Sequence, residues 1–236
     1  MSNVKTIMKK EIRSYFYSPA AYIILGFFLL VSGWLFGSHL FLMKVASLRN
    51  LFGIIPLIFM FLAPALTMRA IAEERDSGTI EIMCTSPVKD KEIILGKFYS
   101  SFIILAIAAT VTIFYGIIVS FIGSPDWGTI IAGYLGLLFL GGSYLAIGIF
   151  GSTLSKNQII SFIASFFIIL LFYLSDKFLY LVPAWLSSIL QFISLDYHFQ
   201  NIARGVIDTR DIIYYLSIII LFLYFAKNSL AERKYQ

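Results

Sequence analysis

The chain has 236 residues, of which 59% are hydrophobic, 17% aromatic and only 13% charged, a balance that excludes a soluble globule and makes it an integral membrane protein. At roughly 20 residues per spanning helix, the length holds about six spans with short loops and leaves no room for a separate soluble domain, so residues 1–236 read as one membrane domain. The net charge of +5 comes from basic clusters beside apolar runs, where anionic lipid and membrane orientation explain them, and no nucleic-acid partner is expected.

At the N-terminus, Val4, Ile7, Met8, Ile12, Tyr15 and Phe16 recur at helical spacing, with Lys5, Lys9, Lys10 and Arg13 on the other side. This predicts an amphipathic interfacial helix over residues 1–17 lying along the inner leaflet; the plainer alternative is a basic tail that only orients the first span. Ser18 and Pro19 then turn the chain into a first span over Pro19–Met43, which lacks a small-residue cleavage site and is retained. A second span covers Leu51–Met68. Between it and the third span, Phe98–Ile122, lies a polar island, Arg69–Lys97, which reads EERDSGTIEIMCTSPVKDKEIILGK from Glu73.

Inside the island, Ser77 or Thr79 can cap a helix of about two turns whose Ile80, Met83 and Cys84 make an apolar face. Glu81 lies on its flank, Gly78 breaks it from the preceding charged run and Pro87 ends it. So short a helix is marginal in water and persists only when docked, as in helix-in-groove recognition; the alternative is a solvated loop whose charges enforce topology. Cys84, the only cysteine, cannot form an internal disulfide and gives no sign of an oxidising compartment.

The fourth span, Trp127–Leu154, carries Gly133, Gly136, Gly141, Gly142, Gly148 and Gly151. Tight packing within one subunit is the preferred reading, and sliding between subunits the other. A fifth span covers Gln158–Ser175 and a sixth Ile212–Ala226, extending to either side. In the loop between them, Pro183–Leu195 is apolar but too short to cross, which suits external interfacial or re-entrant helices. Arg204, Asp208, Arg210 and Asp211 either clamp this loop at the entrance of the sixth span or are solvated.

Thirteen of the 18 Lys and Arg residues fall in the two termini and the second and fourth loops, which places both termini and the island in the cytoplasm. The six spans as drawn contain no Asp, Glu, Lys or Arg, and their only histidine is His39, so an internal proton or sodium relay is not expected. Only His39 and His198 are available to a metal, no HExxH is present, and Ser143 and Ser152 fit helix packing better than nucleophilic catalysis. Gly96-Lys97-Phe98 lacks the glycine spacing and the hydroxyl of a P-loop, so the chain itself does not hydrolyse ATP and binds no cofactor.

The run E-E-R-D-S-G-T-I-E-I-M-C-T-S-P-V, followed by I-L-G-K-F, resembles the motif after the second span of ABC-2 type permeases. The amphipathic start with Ser-Pro before the first span is similar to theirs as well. Two further runs, YLGLLFLGGSYLAIGIFGSTLSKNQII from Tyr134 and RGVIDTRDIIY from Arg204, resemble the gliding-motility branch of that family. The resemblance covers nearly the whole chain. It implies an all-α permease subunit of an ATP-driven transporter, exporting a substrate or transmitting force, with a second permease subunit, identical or related, and a separate cytosolic ATPase that binds ATP and Mg. It also implies that the helix over Gly78–Thr85 is the coupling helix. Thr79, Ile80, Glu81 and Met83 would contact the ATPase, Glu73 and Glu74 would form the gate-side approach, and Pro87 and Lys97 would fix the loop's exit. The external segment matches the family's outer helices, and a prokaryotic inner membrane follows from the family. Two other readings stay open: an anchor of a motility or secretion assembly that moves no substrate, and a membrane enzyme acting on lipid.

Overall fold

The computed structural model describes residues 2–43, 47–79, 88–123, 125–178 and 183–232. These are all helical or connecting, with no strand among the described residues. In chain order the helices are α1 (Ser2–Tyr17), α2 (Pro19–Met43), α3 (Arg49–Thr67), α4 (Ala72–Asp76), α5 (Asp90–Val111), α6 (Ile113–Ile122), α7 (Trp127–Leu154), α8 (Gln158–Leu174), α9 (Ala184–Ile193), α10 (Leu195–Ala203) and α11 (Thr209–Glu232).

Among the described residues, five stretches are long and apolar enough to cross a membrane: Ala21–Leu42, Arg49–Asp76, Asp90–Ile122, Trp127–Leu154 and Thr209–Ala231. The expected fifth span is helical as α8, but at 17 residues it is about 25 Å long, short of a hydrocarbon layer of about 30 Å. The expected third span starts earlier than its apolar run. Asp90 and Glu92 supply acidic residues to the first turn of α5, and Glu92 Oε2 accepts the Lys89 N–H at 3.0 Å, so the helix begins eight residues before Phe98. The same stretch breaks at Thr112, whose backbone N–H turns to the Ala109 and Thr110 carbonyls while its hydroxyl donates to Ala109 O at 2.7 Å.

Helix α7 is the keel. All six of its expected glycines receive side chains of this same chain: Phe52 at Gly133, Phe199 and Ile202 at Gly136, Leu105 at Gly141, Phe102 at Gly142, Thr67 at Gly148 and Ser165 at Gly151. The glycines therefore serve packing within the subunit, as preferred from the sequence. Helix α8 returns along α7 with Ser161, Ser165 and Ile169 buried, and Ser165 Oγ donates to Gly148 O at 3.3 Å. Ser143 and Ser152 are buried, with hydroxyls bonded back to the carbonyls of Phe139 and Ile149, a packing role.

Candidate functional site

Helix α1 runs beside the first three turns of α5, and the contacts ascend together along both chains. Asn3 Nδ2 donates to Glu92 Oε2 at 3.2 Å, Ile7 covers Gly96, Glu11 Oε1 accepts from Lys97 Nζ at 3.1 Å, and the Tyr15 hydroxyl lies 3.1 Å from Ser101 Oγ. A Cβ on Gly96 would stand 2.7 Å from Ile7 Cγ2, so the absence of a side chain there sets the distance between the two helices.

Lys97 is only 2% exposed and is held between two carboxylates, Glu11 at 3.1 Å and Glu74 at 2.8 Å. A buried ammonium is tolerated only when paired and hydrogen-bonded, and this pair of acids satisfies it from two different helices. Glu74 belongs to α4, the five-residue helix that leads into the island. The next residue, Arg75, donates from its guanidinium to the carbonyl of Thr153, one of the last four carbonyls of α7, which lack partners within the helix. Tyr15 does the same for α3, donating to Leu66 O at 2.5 Å, and burial pushes its hydroxyl pKa up to about 12. Helix α4 is thus bound to α1 and α5 through Glu74 and to the end of α7 through Arg75.

Beyond α4, Ser77 and Thr79 both hydrogen-bond backward to Glu74 O, at 3.4 and 3.3 Å. Gly78 between them has φ +70°, a left-handed conformation that a side chain would strain. The break expected at Gly78 is present; the forward capping expected of Ser77 or Thr79 would fall on residues 80–87, which lie outside the described residues, as do Ile80, Glu81, Met83 and Pro87 themselves. Glu73 and Thr79 are exposed, whereas Glu74 is turned inward onto Lys97.

The arrangement joins an acidic pair, a Gly-Thr break and a Leu-Gly-Lys helix start in one polar assembly at one end of an apolar bundle. A family model described as ABC-2 family transporter protein matches residues 2–217. The chain belongs to the ABC-2 transporter family. No curated protein matches it. Family membership and the long apolar helices together make it a multi-pass membrane protein of the ABC permease kind.

At the other end of the bundle, the four residues expected to clamp the external loop divide. Asp211 is buried, and its Oδ1 lies 2.6 Å from His198 Nδ1, while His198 Nε2 lies 3.1 Å from the Phe192 carbonyl and the ring stacks on Tyr214 with centroids 4.1 Å apart. Asp208 starts α11 by accepting the Arg210 N–H at 2.9 Å. Arg204 and Arg210 are exposed.

The segment expected to be external, Pro183–Leu195, forms α9, and the helix that follows it, α10, is packed inward. Phe199 and Ile202 lie against Gly136, nine residues and about 13 Å down α7. Alongside it, Lys177 meets Asp196 at 2.6 Å and Asp176 at 3.0 Å, and Ser194 Oγ donates to Asp176 at 3.0 Å. Burial opposes the charge on Lys177, but the hydrogen bonds it donates to Asp196 and Asp176 outweigh it and hold its ammonium above the ordinary pKa. The bundle therefore does contain ionisable groups at this end, delivered by the residues around α10 and by the first turn of α11, outside the charge-free runs, which is why inspection of those runs alone missed them. They stand in pairs, Lys177 with two carboxylates and His198 with one.

Proposed function

We propose that this protein is the membrane-spanning permease subunit of an ATP-driven ABC-2 transporter, with both termini in the cytoplasm of a prokaryotic inner membrane. The short helix α8 completes a six-span subunit, and two such subunits, identical or related, stand side by side. Each docks a cytosolic ATPase that binds ATP and Mg through the island over Gly78–Thr85, with α1 as its interfacial helix. Thr79, Ile80, Glu81 and Met83 form the contact, Glu73 flanks it, Glu74 and Gly78 set where it leaves α4, and Pro87 sets its exit. The likeness of the runs at Tyr134 and Arg204 to the gliding-motility branch supports service in a motility or secretion system.

The observation that carries this reading is the bonding of α4. A push on the segment that follows it is delivered at once to α5 and α1, through Lys97, and to the end of α7, through Arg75. Closure of a nucleotide-bound ATPase pair would then move whole helices rather than a loose loop. Affinity purification from native membranes tests it. A protein with a P-loop is expected to accompany the wild-type chain and to be lost from the Ile80→Arg and Glu81→Arg variants, which remain inserted. Retention of that partner by both variants would remove the coupling assignment, and recovery of a motility scaffold with no nucleotide-binding partner would favour the anchor.

A further inference from the structure

A cavity of about 380 Å³ opens where α1 turns into α2, between the ends of α2 and α3 and helix α4. That volume lies within the range of small-molecule sites, which begin near about 300 Å³. Its lining is of two kinds. Ile24, Ala65 and Met68 supply an apolar wall, and Lys10, Arg69, Glu73 and Glu74 supply mixed charge.

The charges are paired off only in part. Lys97, also in the lining, is committed to Glu11 and Glu74. Glu74 spends Oε1 on that contact, and its Oε2 is buried, so its carboxylate is not open to a ligand. Arg69 and Glu73 line the cavity and are exposed. An anion alone would suit Arg69 and Lys10 but meet repulsion from Glu73, and a cation alone would meet the reverse. A ligand carrying both charges a few ångströms apart, with an apolar extension, suits both walls.

We propose that this cavity holds the headgroup of a zwitterionic phospholipid with a primary ammonium, its phosphate at Arg69 and Lys10 and its ammonium at Glu73. The ammonium must be primary because the acceptor is a carboxylate, which a donor with N–H groups satisfies and a quaternary nitrogen does not. The apolar wall then receives the glycerol and the first acyl carbons. This site lies beside the coupling segment but needs no ATPase to fill it, so its test stands apart from that of the coupling reading.

Native mass spectrometry of the purified full-length protein, given equal amounts of phosphatidylethanolamine, phosphatidylcholine and phosphatidylglycerol, provides that test. Phosphatidylethanolamine is expected to be retained best. Phosphatidylcholine keeps the phosphate but lacks donors on nitrogen, and phosphatidylglycerol lacks the cation. Arg69→Ala and Glu73→Gln, both at exposed positions, should each weaken the retained lipid roughly tenfold, the loss of one charge-assisted contact, with lipid-free thermal unfolding unchanged. Soluble glycerophosphoethanolamine should leave the lipid bound at equal concentration. Equal retention of the three lipids, preference for phosphatidylglycerol, variants that bind as the wild type does, or displacement by the soluble headgroup would each overturn the assignment.

Discussion

Lys97 is the residue on which the end of the molecule that carries α1 and α4 turns. Its side chain is 3% exposed, and those of Glu11 and Glu74 are 16% and 14% exposed, so the three charges share one poorly hydrated site. Removing the lysine leaves two neighbouring carboxylates without a counter-ion, whereas removing one acid as well relieves the repulsion. Lys97→Met is therefore expected to cost about 3 kcal/mol, read as a fall in the thermal unfolding midpoint in detergent. The double variant Lys97→Met with Glu11→Gln should recover a substantial part of that loss. A lysine that merely capped a loop would show no such recovery, and the two substitutions would add.

At the scale of elements, α1 is attached by close approach as much as by charge. Gly96 and Ile7 interlock, with polar contacts one turn to either side at Asn3 and Glu11. Gly96→Val would put branched carbons where Ile7 now lies and lift α1 from α5, and Ile7→Ala in the same chain should restore the space. Limited proteolysis of the N-terminal helix reads this out: faster cleavage in Gly96→Val, near wild-type cleavage in the double variant, and an unchanged rate in Gly96→Val alone if the helix were held by its charges only. The sequence showed the helix itself, through its 3.6-residue apolar period, and showed the Leu-Gly-Lys run as a motif. It did not show that Glu11 and Glu74 meet on Lys97, because those three residues are far apart in the chain and nothing in local spacing links them. Arg75 was hidden for the same reason, since its partner is a backbone carbonyl of α7 that any residue would supply. The spans were legible because charge-free runs of this length have few alternatives: the expected Trp127–Leu154 is helical over those same residues. The inward fold of α10 was not, because Leu195–Ala203 follows the apolar segment and mixes polar with apolar residues, and nothing in that pattern names its partner, Gly136.

For the molecule as a whole, the short helix α8 decides how many times the chain crosses. At 17 residues it falls below the hydrocarbon thickness, yet its buried Ser161 and Ser165 face follows α7 back from the tight turn at Ser155–Asn157. A short span beside longer neighbours is accommodated by local thinning of the bilayer and by protein covering its end, and the inward-packed α10 supplies such cover. If α8 crosses, three crossings separate Cys84 from Arg204, and the two lie on opposite sides; if it does not, they lie on the same side. The native Cys84 is the only cysteine, so labelling in intact cells with a membrane-impermeant maleimide needs one further variant, Arg204→Cys in a Cys84→Ser background. Arg204 is exposed, so the introduced thiol is accessible. Labelling of residue 204 in intact cells, with Cys84 labelled only after permeabilisation, is the expected outcome of six crossings with the basic end inside. The opposite pattern at both sites would invert the orientation, and labelling of both from one side would reduce the count to five and make α8 a helix that lies against the bundle without traversing the membrane.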